Sequence, residues 1–281
     1  MKIKQSVSQW KLLEMLHIGD DPMDSDSGAP LQWLKFSGTQ PDAQGPIVIL
    51  AGFSGSARNE SRILQLLQKA LSNGIISTVS DLYLCPIVNP ASQSKAPHLS
   101  HRGNDIFNDF PTLKDKSASD IGQSFEVTQL LRWISKVQPK AILSLQADKC
   151  CINHFGASDD ILEKLSTLSE RPVLALGERP KLSEEEQREL AKMPEEEIVV
   201  HNYDKNLGQW CHENGIIWIN FSVDAAKKDF EELREDWRLN TGPALKWLLE
   251  GPRFNPPVEE PFFLTPTVVP SVELPPELMN L

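Results

Sequence analysis

Mainly apolar runs alternate along this chain with segments whose apolar residues recur every three or four positions. These runs are typical of buried strands, and they lie at 47–51, 82–88, 141–145 and 216–223, of which 47–51 is apolar throughout. The helical spacing is found at 60–72, 126–137, 159–168, 182–193, 227–238 and 241–249. Strands that alternate with helices predict an α/β protein built on a mostly parallel sheet.

The first part of the chain is less regular than the rest. A short amphipathic helix is predicted at 9–17, because its apolar residues fall roughly on one face. The acidic stretch 20–28 has the composition of a loop, and 31–37 has the pattern of an edge strand. We therefore interpret residues 1–45 as an N-terminal extension with edge elements, attached to one α/β domain.

The composition changes at Gly251, where prolines begin to crowd the chain. Proline removes a backbone donor and fixes φ, so this segment cannot form a helix or a central strand. We expect a domain over 1–250 and a proline-rich tail over 251–281. The tail also contains apolar residues, namely Phe262, Phe263, Leu264, Val268 and Val269. Two interpretations follow: the tail lies extended across its own domain, or it docks on a partner as an extended peptide.

Charge and cysteine usage narrow the class of protein. The formal net charge of -11 argues against a nucleic-acid partner and against docking on an anionic membrane. The sequence contains no apolar run of signal-peptide or membrane-spanning type, and we expect a cytoplasmic protein. The four cysteines form no C-x-x-C pair, so they predict neither a disulfide framework nor a zinc knuckle.

Short motifs stand at the predicted strand ends and loops. In chain order they are Gly52-Phe53-Ser54-Gly55-Ser56-Ala57, Val88-Asn89-Pro90, Gly103 with Asp105 to Pro111, the strand ending at Gln146, and Gly208-Gln209-Trp210-Cys211. Their order and spacing, from about 47 to 249, resemble the zinc carboxypeptidase family. The similarity points in particular to its bacterial murein peptide amidase A branch, which trims the γ-D-glutamyl–diaminopimelate bond of cell-wall peptides. The resemblance implies a three-layer α/β/α fold with a mixed, mostly parallel twisted sheet.

The positions that hold zinc in that family carry other residues here. By the resemblance, the first histidine ligand falls on Ser54, the glutamate ligand on Ala57 and the second histidine on Gln146. A catalytic zinc site needs three imidazole, carboxylate or thiolate donors and a water. Serine and an amide are poor donors and alanine has none, so we expect neither metal nor other cofactor.

The other catalytic positions of the family differ as well. The arginine that would clamp a substrate carboxylate falls on Asn108, its neighbouring asparagine on Phe107, and the general base on Ser222. A candidate pocket remains around Phe107, Asp109, His101 and Asp224. The resemblance therefore predicts a non-catalytic relative whose cleft binds a peptide or a protein partner.

Two other designs stay open at this point. The first is an active hydrolase with a rearranged site, which would use zinc or a relocated pair such as His98 with His101. Alternatively, the rearranged site would use Cys150 or Cys151 as a nucleophile with His154 as its base. The turn Gly52-x-Ser54-x-Ser56 is neither a P-loop nor a complete G-x-S-x-G elbow. The second design is a scaffold protein that acts through its proline-rich tail.

Overall fold

A computed structural model describes most of the predicted domain. The described residues are 10–11, 33–42, 44–54, 59–89, 99, 105–111, 124–148, 151–176, 178, 206–224, 229–251 and 253–254. They form a single eight-stranded sheet with helices on both of its faces.

The sheet is mixed, and its centre is parallel. Its strands are β1 Trp10–Lys11, β2 Leu34–Phe36, β3 Ile47–Leu50, β4 Leu82–Cys85, β5 Ala141–Asp148, β6 Ile152–Phe155, β7 Val173–Ala175 and β8 Ile217–Asp224. Their order across the sheet is β1-β2-β4-β3-β5-β8-β6-β7. Strands β4, β3, β5 and β8 run parallel, β6 and β7 are parallel to each other, and the pairs β1–β2, β2–β4 and β6–β8 are antiparallel.

Six α-helices cover the sheet in the described part of the chain. They are α1 Asn59–Ser72, α2 Phe125–Val137, α3 Asp159–Ser169, α4 Leu207–Glu213, α5 Phe230–Asp236 and α6 Gly242–Leu249. A π-helical turn, Trp237–Thr241, joins α5 to α6, and a short 3-10 turn lies at Ile106–Asn108.

The core divides into two apolar layers because alternate strand residues point to opposite faces. On β3, Ile47 and Ile49 pack with α1, α3, α5 and α6, whereas Val48 and Leu50 pack with α2 and α4. All four β3 residues are fully buried, as the unbroken apolar run predicts. The expected three-layer α/β/α fold is confirmed.

One predicted element is wrong, and three strands, β1, β6 and β7, were not predicted. Trp10 and Lys11 belong to a strand that pairs with β2, and not to a helix over 9–17, because the open edge of β2 offers backbone hydrogen bonds. The remaining residues of that prediction, and the helix expected at 182–193, lie outside the described residues. Strands β6 and β7 are short and carry no unbroken apolar run.

Two of the last described residues, Gly251 and Phe254, are hydrogen-bonded to the amino-terminal edge of the parallel strands. Gln44, just before β3, donates its side-chain amide to the Gly251 carbonyl at 3.4 Å and accepts the Phe254 backbone N–H at 2.8 Å. The Phe254 ring is fully buried in the core layer of α1 and α6. Arg253 stacks on the Trp247 ring, with 4.3 Å between its guanidinium carbon and the ring centre.

None of the helices in the described ranges is long and apolar enough to cross a membrane.

Phe254 is expected to contribute strongly to the stability of the domain. Phe254→Ala should lower the free energy of unfolding by about 3–5 kcal/mol, because it leaves a cavity in the core. Urea unfolding followed by tryptophan fluorescence measures the change. Arg253→Ala is the matched control, because it removes only an exposed stacking contact and a 3.5 Å hydrogen bond to the Trp247 carbonyl, together about 1 kcal/mol. Equal losses in the two variants would contradict the assignment of Phe254 to the core.

Candidate functional site

Buried polar side chains gather at the carboxyl edge of the parallel strands. They come from the first turn of α1, from the segment after β4 and from the start of α2, and they are Asn59, Glu60, Ser61, Asn89, Ser124, Glu126 and Gln129. Helices that follow parallel strands begin at this edge, so their amino-terminal residues meet there. The carboxyl edge of a parallel sheet is also where α/β folds usually place their ligands.

Ser54 lies at this edge, four residues beyond the end of β3, and is half-buried. Its backbone N–H donates to Oε1 of Glu60 at 2.7 Å. Glu60 is in the first turn of α1 and is fully buried, so it ties the turn after β3 to the helix that follows. A carboxylate at this helix end is also favoured by the helix dipole.

Gln146 and Ser222 are direct neighbours across the sheet. The eight residue pairs between β5 and β8 place Gln146 opposite Ser222. Gln146 is half-buried, whereas Ser222 has no exposed surface. The positions that the resemblance assigns to a metal ligand and to the general base are therefore adjacent, as one site would require, but they carry an amide and a hydroxyl.

A chain of buried hydrogen bonds holds the Ser222 side chain. Trp218 Nε1 donates to Ser144 Oγ at 3.1 Å, and Ser144 Oγ donates to Asn220 Oδ1 at 2.9 Å. Asn220 Nδ2 then donates to Ser222 Oγ at 3.3 Å. The Cys151 thiol completes the chain, with Sγ 3.6 Å from Ser222 Oγ. Because buried polar groups are costly unless paired, this chain favours one fixed arrangement of β5, β8 and the start of β6.

A buried ion pair holds the backbone at the same residue. Arg171 donates through Nη2 to both carboxylate oxygens of Asp236, at 2.6 and 2.7 Å, and through Nη1 to the Ser222 carbonyl at 3.1 Å. Asn240 and Thr241, in the π-helical turn, also bond to the Asp236 carboxylate. Each charge is thus fully paired, which a buried ion pair requires.

Two carboxylates of the loop before α2, those of Asp105 and Asp109, accept hydrogen bonds that fix the backbone there. Asp105 accepts the Phe107 backbone N–H at 3.0 Å and the Asn108 side-chain amide at 2.7 Å. The Phe107 ring stacks on Phe53, with 5.5 Å between the ring centres. Asp109 accepts the backbone N–H of Ser124 at 2.5 Å, next to the first turn of α2. Asn108 therefore has a local structural partner at the position where the resemblance places a substrate clamp.

Two buried cysteines, Cys85 and Cys211, are poorly suited to nucleophilic chemistry. Burial raises the pKa of the Cys85 thiol to about 12 and that of Cys211 well above its usual value, so both thiols stay protonated at neutral pH. Burial also lowers the pKa of the half-buried His154, and its Nδ1 has no hydrogen-bond partner in the described ranges. The Cys151 thiol contacts Ser222 and Asn153.

Several candidate residues lie outside the described residues, namely Ala57, His98, His101 and Cys150. Asp224 is the last residue of β8, opposite Asp148 in the register. The proposals that rest on these residues stay predictions, including the rearranged hydrolase site.

The donor set at this edge does not suit zinc. Ser54, Gln146 and Ser222 offer hydroxyl and amide groups, and Ser222 is already bonded within the protein. Among the described residues, no group of three or more histidine, cysteine, aspartate or glutamate side chains is placed to hold a metal ion. We therefore derive no chemical step through a metal.

Solved structures share this architecture. The murein-tripeptide amidase MpaA of Escherichia coli O157 matches with a TM-score of 0.52 and 17% identity, over 80% of this chain and 88% of that chain. A putative metallopeptidase of Shewanella baltica OS155 matches with a TM-score of 0.52 and 16% identity, over 81% and 83% of the two chains. The chain has the zinc carboxypeptidase fold. Neither a protein-family model nor a curated protein sequence matches it, so the similarity lies in the carboxypeptidase-like fold and not in close sequence relationship.

The motifs located Ser222 but not the residues that hold it, namely Ser144, Trp218 and Asn220. Trp218, Asn220 and Ser222 alternate with apolar residues on β8, and Ser144 does so on β5. That period of two inside buried strands was a readable signal for a polar face. The Arg171–Asp236 pair gave no comparable signal, because its partners are 65 residues apart.

The closed packing around Ser222 predicts that the position cannot accept a carboxylate. Ser222→Glu should lower the free energy of unfolding by more than about 3 kcal/mol, since it adds bulk and an unpaired charge to a buried site. Ser72→Glu on the exposed end of α1 is the matched control, with an expected loss of about 1 kcal/mol or less, because a carboxylate there opposes only the helix dipole. Urea unfolding compares the two. A Ser222→Glu protein as stable as the control would show instead that the site is open.

Proposed function

We propose that this chain is a non-catalytic carboxypeptidase-like protein that binds a peptide at the carboxyl edge of its sheet. The observation that carries the proposal is Ser222. The resemblance assigns the general base to this residue, which is fully buried and is held by Asn220 and Cys151. A hydroxyl in that setting cannot serve as a carboxylate base.

The neighbouring positions support the same conclusion. Gln146 and Ser54 stand where the resemblance places imidazole ligands, and Asn108 stands in place of the arginine. Three charged or metal-binding functions are thus replaced by neutral hydrogen-bonding groups. Such groups suit the amide groups of a peptide, which need partners but carry no charge.

The half-buried residues at the edge define the proposed binding surface. They are Ser54, Phe107, Asn108, Asp109 and Gln146. The Gln146 amide can both donate and accept, and Phe107 adds an aromatic face. Ligand sites usually combine a few polar groups with aromatic side chains.

The murein tripeptide L-alanyl-γ-D-glutamyl-meso-diaminopimelate is the probe we propose first. We expect calorimetry to detect binding, and chromatography after incubation with added zinc to detect no diaminopimelate. Gln146→Ala should weaken binding at least tenfold, because it removes an amide that can both donate and accept, whereas Gln65→Ala on the exposed face of α1 should not.

The loss of catalysis and the binding of this peptide are tested separately. Release of diaminopimelate that a chelator abolishes would contradict the loss of catalysis. Absence of binding, or binding that Gln146→Ala leaves unchanged, would contradict this peptide as the ligand of the edge.

A further inference from the structure

A row of polar side chains on one face of the sheet ends at Gln146. Ser144 and Gln146 are two residues apart on β5, and they pair with Asn220 and Ser222 on β8. Side chains two residues apart on a strand point to the same face, so Gln146 shares a face with the hydrogen-bonded chain from Trp218 to Ser222. The other four residues are buried, whereas Gln146 is half-buried. The row therefore leads from the core to the proposed binding surface.

The carboxyl end of β8 has less support from the sheet than its middle. The register between β6 and β8 ends at the pair Ile152 and Phe221, and the Ser222 N–H then donates to the Cys151 carbonyl at 3.0 Å. From there to Asp224, β5 is the strand with which β8 pairs in the described part of the chain. Ser222 is thus the point at which β8 leaves β6.

Arg171 bonds to the backbone at this point from outside the sheet. It lies between α3 and β7, is 5% exposed, and donates through Nη1 to the Ser222 carbonyl at 3.1 Å. Its Nη2 donates to both carboxylate oxygens of Asp236 at 2.6 and 2.7 Å. A guanidinium is planar and its N–H directions are fixed, so the bonds to Asp236 also determine where Nη1 points.

Asp236 is in turn held by the helical layer. It is the last residue of α5 and is 6% exposed, and its carboxylate accepts the side-chain amide of Asn240 at 3.1 Å and the Thr241 hydroxyl at 3.5 Å. Both partners lie in the π-helical turn. The Ser222 carbonyl is therefore placed relative to α5 and the π-helical turn as well as to its own sheet.

The geometry of this arrangement matters more than its charge. A buried ion pair is weak evidence of stability, because apolar residues of similar volume often replace it without loss. The Arg171–Asp236 pair differs from a simple ion pair because it also directs a third N–H···O bond to Ser222. Since Ser222 stands opposite Gln146, that bond acts on the backbone beside the Gln146 amide.

We propose that Arg171 is a positioning residue of the peptide site. Through the Ser222 carbonyl it fixes the carboxyl end of β8 against β5, and it thereby sets the place at which a peptide meets the Gln146 amide. This inference rests on the proposed function for its ligand and on the hydrogen bonds of Arg171 for its geometry.

Arg171→Lys separates alignment from charge. Lysine keeps the cation that Asp236 needs, but it lacks the planar fork that bonds Asp236 and Ser222 together. We expect a folded variant in which the Gln146 side-chain amide resonances move in heteronuclear NMR, their assignment resting on their absence in Gln146→Ala. The murein tripeptide should bind about tenfold more weakly by calorimetry. An unchanged value in either readout would overturn the proposal, because Arg171 would then only neutralise Asp236.

A double substitution removes the whole ion pair and leaves no lone buried charge. Arg171→Met combined with Asp236→Leu should move the same resonances and weaken binding to a similar extent. Arg234→Met combined with Glu231→Leu is the matched control, because it removes an exposed ion pair on α5 that does not bond to Ser222. The control should leave both readouts as in the wild type. Equal weakening in the two double variants would overturn the proposal.

Failure of the proposed function is distinguishable from failure of this inference. A wild-type chain that does not bind the tripeptide contradicts the proposed function, and the Gln146 resonances then test the alignment without any ligand. Resonances that stay in place in Arg171→Lys overturn the inference in that case as well. A wild-type chain that binds the tripeptide, together with an Arg171→Lys variant of equal affinity, overturns the inference alone.

Discussion

The pairing of β5 with β8 is the interaction on which the rest of the structure depends. Eight consecutive residue pairs join the two strands at the centre of the sheet. Their apolar residues contribute to both core layers, and their polar residues form the Trp218–Ser144–Asn220–Ser222 chain. The pairing therefore determines which residues face each core layer. It also determines which side chains lie side by side at the carboxyl edge.

That constraint explains how a carboxypeptidase-like fold can accommodate neutral polar side chains at Gln146 and Ser222. A charged base and a metal stabilise each other only together, and either one alone in a buried site is costly. Ser222 avoids that cost because Asn220 and Cys151 bond to it. Arg171 then bonds the Ser222 carbonyl and is itself neutralised by Asp236, so the one buried cation near this position is already matched among the described residues.

The sequence was sufficient for the central strands and for most helices, because buried strands and amphipathic helices leave a period that can be read directly. Ile47–Leu50 and Phe125–Val137 are examples, and their limits were predicted to within a residue. The sequence pattern did not predict the strands Trp10–Lys11 and Val173–Ala175, which exist only because a neighbouring strand edge offers hydrogen bonds. Motif order located Ser54, Gln146 and Ser222, but contacts such as Arg171 with Asp236 depend on the tertiary fold and have no local pattern.

Zinc binding is the measurement that tests the central claim most directly. The full chain, purified without chelator and then equilibrated with excess zinc and dialysed, is analysed for metal by elemental analysis. The account predicts no stoichiometric zinc, because hydroxyl and amide groups replace the donors at the carboxyl edge. One tightly held zinc per chain, removable by a chelator, would contradict it and would make a hydrolase the better description of this protein.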